Sequence, residues 1–129
     1  MQFEVIFYEM TDGQKPIEDF LKALDVKMRA KVVLMMELLE KKGTELREPY
    51  SKALGDGIFE LRCKLGSNVS RTLYFFFSGA KIIITNGFIK KTRKTPQREL
   101  ELAKARRAEY VRRMQHEDIA TIQSGANDG

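Results

Sequence analysis

The chain has 129 residues and a mass of 14.9 kDa, which suits one domain with one core and is too short for two. With 43% hydrophobic and 32% charged residues it is not disordered by composition, and its longest apolar runs, Leu73 to Phe77 and Ile82 to Ile84, fall far short of a bilayer span. A single cysteine, Cys63, and a single histidine, His116, argue against internal disulfides, metal-thiolate clusters, paired-histidine nucleases and Cys/His or Ser/His hydrolases, while the formal charge of +5 is modest.

In chain order, Phe3, Val5 and Phe7 alternate with Glu4 and Ile6, a period of two that predicts an opening strand over Gln2 to Tyr8. Asp12-Gly13 marks a turn. Pro16 suits the first position of a helix, and Ile17, Phe20, Leu21 and Leu24 carry its apolar stripe. Asp25 is placed to cap a second helix with the stripe Met28, Val32, Met35, Met36 and Leu39, and Gly43 to end it. The run Thr44 to Asp56 reads as a polar connector. Three strands follow, Ile58 to Leu65, Val69 to Ser78 and Lys81 to Lys90, forming an antiparallel meander with turns at Gly66-Ser67-Asn68 and Gly79-Ala80. Thr95-Pro96 reads as the cap and first residue of a third helix, with Leu100, Ala103, Tyr110, Val111 and Met114 as its stripe. The expected domain covers residues 1–114, and residues 115–129 read as a flexible polar tail. The chain opens without a charged-then-apolar leader, so neither export nor a membrane partner is expected, and the reducing cytoplasm is the expected location.

Charge is unevenly distributed. Residues 90–113 hold 10 Lys/Arg and 3 Glu, a net +7, whereas the remainder holds 13 Lys/Arg and 15 Asp/Glu, a net −2. Such a segment suits a polyanion, since Lys and Arg release counterions from phosphates and steer encounter, although a solvated basic helix face has the same composition. A two-residue turn at Gly79-Ala80 would place Ser78 opposite Lys81 and Arg71 opposite Phe88. Leu73, Phe75 and Phe77 would then share a face with Ile82, Ile84, Phe88 and Lys90. A two- or four-residue loop in the preceding hairpin would put Arg62 opposite Leu73, on the face of Arg71. A three-residue loop would turn it away, and the apolar set Phe59, Leu61, Cys63 and Leu65 favours that second register. Gathered cations repel and resist desolvation, so an anionic ligand would explain Arg62, Arg71 and Lys90 together. Glu60 pairing with Arg62 or Lys64, and helix carboxylates facing Arg71, are the structural alternatives.

The runs Gly57-Ile58-Phe59-Glu60-Leu61-Arg62, Arg71-Thr72-Leu73-Tyr74-Phe75-Phe76 and Gly87-Phe88-Ile89-Lys90-Lys91, followed by Thr95-Pro96 with Glu99 and Ala103, resemble the RelE superfamily of bacterial toxins, in its HigB-like, phage-related branch. The resemblance implies a single α+β domain with an N-terminal strand, two helices, a three-stranded antiparallel meander and a C-terminal helix. It further implies a type II toxin that cleaves mRNA on the ribosome and is silenced by a cognate antitoxin, often of helix-turn-helix type. Arg62, Arg71, Lys90 and Lys91 match the family's catalytic basic positions, while Lys52, Phe88, Arg93 and Lys94 would contact RNA. Relatives often carry His before the Gly-Phe pair, where this chain has Asn86.

No metal or other cofactor is needed for this chemistry, because RNA supplies its own nucleophile in the 2′-hydroxyl. Arg62 and Arg71 would stabilise the phosphate charge, and Lys90 or Lys91 would move a proton. Tyr74 has the wrong parity to join Arg71 and reads as a half-buried strand residue, whereas Phe88 shares the face of Arg71 and could stack on a base or fill the core. Arg71→Ala and Lys90→Ala are expected to lose toxicity with thermal stability nearly unchanged. Three other readings stand beside this one: a ParE-like gyrase poison, a noncatalytic basic RNA-binding module, and a metal nuclease on Asp56, Glu60 and Lys64, the last disfavoured because Arg62 breaks the usual Glu-x-Lys spacing.

Overall fold

A computed structural model describes residues 2–90 and 94–128, with side chains described through 117. Among the described residues the order is β1 (Glu4–Phe7), α1 (Pro16–Ala23), α2 (Val26–Lys42), β2 (Ser51–Gly55), β3 (Ile58–Leu65), β4 (Asn68–Phe77), β5 (Lys81–Lys90) and α3 (Gln97–Asp128), with a short 3₁₀ turn at Gly43–Glu45. The strands make one mixed sheet ordered β1-β5-β4-β3-β2, in which β1 runs parallel to β5 and the other pairs are antiparallel. No helix among the described residues is long and apolar enough to cross a membrane.

This corrects the arrangement implied by the resemblance, a lone opening strand and a three-stranded meander. The chain is α+β with three helices, but its sheet has five strands. The extra strand is β2, inside the expected polar connector. Ser-Lys-Ala-Leu-Gly has none of the β-branched or aromatic residues that mark strands, and it is held by its ladder to β3, with Ser51 opposite Leu61 and Lys52 opposite Glu60. The third helix spans Gln97–Asp128.

Local signals explain the helix ends. Pro16 opens α1, and Asp25 Oδ1 accepts from the Met28 backbone N–H at 2.9 Å to cap α2. Gly43 ends α2 at φ 52°, where a Cβ would stand 2.0 Å from the Phe3 ring. Each face of the sheet has its own core. Ile17, Met28, Val32, Met36 and Leu39 of α1 and α2 pack on Leu61, Cys63, Tyr74, Ile82 and Ile84. On the α3 side, Ala103 and Tyr110 pack on Ile58, Leu73, Phe75 and Ile83.

The β4–β5 register differs from the expected one in two places. Phe77, not Ser78, faces Lys81, so the turn contains three residues, 78–80; further along, Leu73 faces Asn86 while Tyr74 faces Ile84, so Thr85 bulges. The two offsets cancel beyond the bulge, and Arg71 does lie opposite Phe88. Before the bulge they do not cancel, which puts Ile82 and Ile84 on the α1/α2 face instead of with Leu73. Buried Thr85 is accommodated by hydrogen bonding: its carbonyl accepts from Arg106 Nη1 at 2.8 Å, and its hydroxyl donates to Asn86 Oδ1 at 2.6 Å.

Candidate nucleic-acid interface

Gly66-Ser67 forms the tighter of the expected turns, pairing Leu65 with Asn68. This sets Arg62 directly opposite Arg71, not opposite Leu73. Cross-strand partners share a face, so both arginines stand on the α3 side with Glu60, two residues from Arg62. Lys52 reaches the same place through β2, opposite Glu60, and Lys90 lies opposite Val69 on β5. An open hollow of about 250 Å³ is lined by Lys52, Glu60, Arg62, Lys90, Lys94 and Thr95, with Leu54 and Leu100 as its apolar wall.

Glu60 is the centre of this group, and it is fully buried. Its Oε1 accepts from Arg71 Nη1 and, at 3.3 Å, from Arg62 Nε, while Oε2 accepts from the Thr95 hydroxyl at 2.5 Å. Burial pushes the Glu60 carboxyl up, but the Thr95 hydrogen bond and the two guanidinium groups outweigh it, and the net direction is below the usual range. Glu60 therefore rests as a carboxylate. Burial lowers the Arg71 pKa, against the pull of Glu60, although a guanidinium stays protonated at neutral pH. Arg71 is 8% exposed, and its Nε is buried with no hydrogen-bond partner among the described residues. Lys90 is also shifted down, first by partial desolvation and then by the neighbouring Arg71, with Arg62 and Lys52 adding to the effect.

Of the residues singled out in the sequence, Lys52, Arg62, Arg71, Lys90 and Lys94 come together around Glu60. Phe88 faces Arg71 across the ladder and packs, partly buried, against the α3-side core. Lys91 and Arg93 lie outside the described residues. Asp56 bonds Lys104 at 3.0 Å in the β2–β3 turn, and Lys64 lies near the far end of β3, so neither joins Glu60. Tyr74 is buried on the α1/α2 face, hydrogen-bonded to Ser51. Asn86 is buried, and its Nδ2 donates to the Glu99 carbonyl at 3.2 Å, which ties the first turn of α3 to the sheet.

Two features were not read from the sequence. Glu60 holds both arginines at once, not Arg62 or Lys64 alone; the i, i+2 spacing of Glu60 and Arg62 on one strand is the available signal. Thr95 donates its hydroxyl to Glu60, so the backbone of Pro96 begins the helical ladder, accepting from Glu99 N–H at 3.0 Å. The expectation that Arg71→Ala leaves stability nearly unchanged is corrected as well, because removing Arg71 would strand a buried carboxylate.

A family model described as "Phage derived protein Gp49-like (DUF891)" matches residues 19–108, more than half of the chain. The match takes in both α2 and the whole β2–β5 ladder. Its description gives a phage origin and no activity. No curated protein matches the chain significantly.

Proposed function

The chain belongs to the phage-derived Gp49-like family, and we propose that this member is the toxin of a type II toxin–antitoxin pair, a metal-independent endoribonuclease acting on mRNA in the ribosome. One observation carries the proposal: five cationic side chains, Lys52, Arg62, Arg71, Lys90 and Lys94, gather around a single buried carboxylate. Like charges gathered this closely favour binding of a further anion. The motif resemblance to RelE-type toxins gives the anion its identity as an RNA phosphodiester.

In the proposed reaction the 2′ oxygen bonds to phosphorus and the P–O5′ bond breaks, leaving a 2′,3′-cyclic phosphate and a 5′-hydroxyl. Arg62 and Arg71 hold the non-bridging oxygens, where their planar forks meet the developing charge. As phosphate takes over the guanidinium N–H groups, Glu60 loses what keeps its pKa low, and burial drives it towards accepting the 2′ proton. Lys90, already shifted down, gives a proton to the leaving 5′ oxygen, a role Lys91 could share. Lys52 and Lys94 hold the flanking backbone, as does Arg93 by resemblance. The proposal places the protein in the cytoplasm with a cognate antitoxin, of helix-turn-helix type, covering the basic face.

A second reading has its own support. Glu60 already pairs with both arginines, as expected of a noncatalytic RNA-binding module. One assay separates them: the purified chain is added to ribosomes programmed with mRNA in excess EDTA, and the cut ends are mapped. Codon-linked cuts with cyclic phosphate ends are expected, reduced about 10²-fold or more by Arg62→Ala or Lys90→Ala, with melting temperatures close to the parent. RNA retention without cuts would leave the binding module. Absence of cuts together with blocked gyrase supercoiling would replace the nuclease with a ParE-like poison.

A further inference from the structure

A second cavity, of about 360 Å³, also reaches Arg62, and neither the cleavage chemistry nor the family match uses it. Its walls are apolar, formed mainly by Met35, Pro49, Tyr50 and Val69. Around them stand four cations, Lys31, Arg62, Lys64 and Arg71, and no Asp or Glu is among the described residues lining it. We propose that this cavity is a nucleobase subsite, which takes the base of a nucleotide whose phosphodiester lies in the neighbouring hollow lined by Lys52, Arg62 and Lys90 and stacks it on Tyr50. The inference rests on the RNA reading of that hollow and adds where the neighbouring base goes.

Three observations converge. Tyr50 is 48% exposed, although its backbone is tied down: its N–H donates to the Arg47 carbonyl at 3.0 Å and its carbonyl accepts from Arg62 N–H at 2.8 Å. An aromatic face held ready in this way loses little freedom when a base stacks on it. The cavity also combines apolar walls with a rim of four cations, of which Glu60 pairs with Arg62 and Arg71 from outside the cavity, and this suits a flat π-system bearing a phosphate better than a cationic ligand. Finally, Arg71 borders the cavity and has a buried Nε with no partner among the described residues, and a ligand acceptor would satisfy it.

Cys63 also lines the wall, and burial pushes its thiol up, away from the thiolate. Lys31 helps to shape the rim by donating to the Lys64 carbonyl.

The test uses the full chain and two non-cleavable probes, a 2′-O-methyl dinucleotide monophosphate and its analogue with one base replaced by hydrogen, titrated by NMR. The base-bearing probe is expected to bind about tenfold tighter or more, with contacts from base protons to Tyr50 and Met35. Tyr50→Phe should keep that advantage, whereas Tyr50→Leu and Tyr50→Ala should erase it and leave the abasic affinity unchanged. Equal binding of the two probes, or an advantage that survives Tyr50→Leu, overturns the subsite. Equal binding alongside intact mRNA cleavage overturns the subsite alone. Base-dependent binding without any cleavage upholds the subsite and removes the nuclease.

Discussion

Two carboxylates in this protein keep nearly the same company in opposite surroundings. Glu60 accepts from Arg71, Arg62 and the Thr95 hydroxyl; Glu109 accepts from Arg113 Nε at 3.0 Å, again from Arg113 Nη2, and from the Tyr8 hydroxyl at 2.6 Å. Both carboxyls are held below their usual range against the upward push of desolvation. The Glu60 side chain is 0% exposed and its partner Arg71 is 9% exposed, whereas Glu109 and Arg113, an i, i+4 helix pair, are 29% and 25% exposed. What differs is the group left behind when the pair is broken. Arg113 has water and the Tyr8 ring, 5.6 Å from its guanidinium, to fall back on. Arg71 is almost wholly buried and has no such ring among the described residues, so the Glu60 group is both a structural joint and a cluster of charge that a bound phosphate could reorganise.

The largest effect follows from that asymmetry. Glu60→Ala should destabilise the fold by about 3–5 kcal/mol, because it leaves Arg71 charged and buried without its partner. Urea unfolding measures this, and a loss below about 1 kcal/mol would put the two carboxylates in one class. Pairing Glu60→Leu with Arg71→Met should recover most of the loss, since two apolar groups of similar volume remove both desolvation penalties. Cleavage would stay absent in the double variant, which separates the joint from the chemistry.

The same group marks where the sequence was legible. The helix stripes, the helix starts at Pro16 and at the Asp25 cap and the three central strands follow from residue pattern, because apolar periodicity and turn residues act locally. β2 was not legible, since Ser51–Gly55 is a strand only by virtue of β3 beside it, and without it Lys52 had no fixed address. The Thr85 bulge was equally hidden. It has no Gly or Pro to announce it, and it reverses the parity of Ile82 and Ile84 while leaving Arg71 across from Phe88. The convergence of Arg62 with Arg71 turned on the length of one loop, which Gly66-Ser67-Asn68 leaves open. Burial of Glu60 beneath the arginines depends on α3 closing over the sheet, a tertiary event with no local signature.

An intermediate effect lies in the acid response. For a carboxyl whose folded pKa is depressed, the stabilisation is complete above the unfolded value and is lost as pH falls through the folded one. Stability should therefore decline below about pH 4.3, with Glu60 and Glu109 both contributing. Glu60→Gln, compared with the parent by urea unfolding at a series of pH values, should flatten this limb. Raising salt from about 0.1 M to about 1 M, which shortens the Debye length from ~10 Å to ~3 Å, should leave the Glu60 share largely in place. A limb unchanged in Glu60→Gln would mean that the buried carboxyl titrates alike in both states.

The smallest effect belongs to Glu109. A solvent-accessible i, i+4 helix pair contributes about 0.3–0.5 kcal/mol, this one is partly buried, and Tyr8 adds a hydrogen bond whose donor lies on a residue only 5% exposed. Glu109→Gln keeps an acceptor for that hydroxyl and should cost about 0.5 kcal/mol, shrinking further at high salt, while Glu109→Ala also orphans the hydroxyl and should cost about 1 kcal/mol. The gap between these two variants isolates the tyrosine from the ion pair. Burial pushes the Tyr8 phenol up and Glu109 pushes it further, so Glu109→Gln should bring the phenol back down, as ultraviolet titration of the phenolate would show. A loss in Glu109→Ala as large as that in Glu60→Ala would mean that burial does not separate the two carboxylates, and Arg71 would then owe its place in the sheet to something other than the charge beneath it.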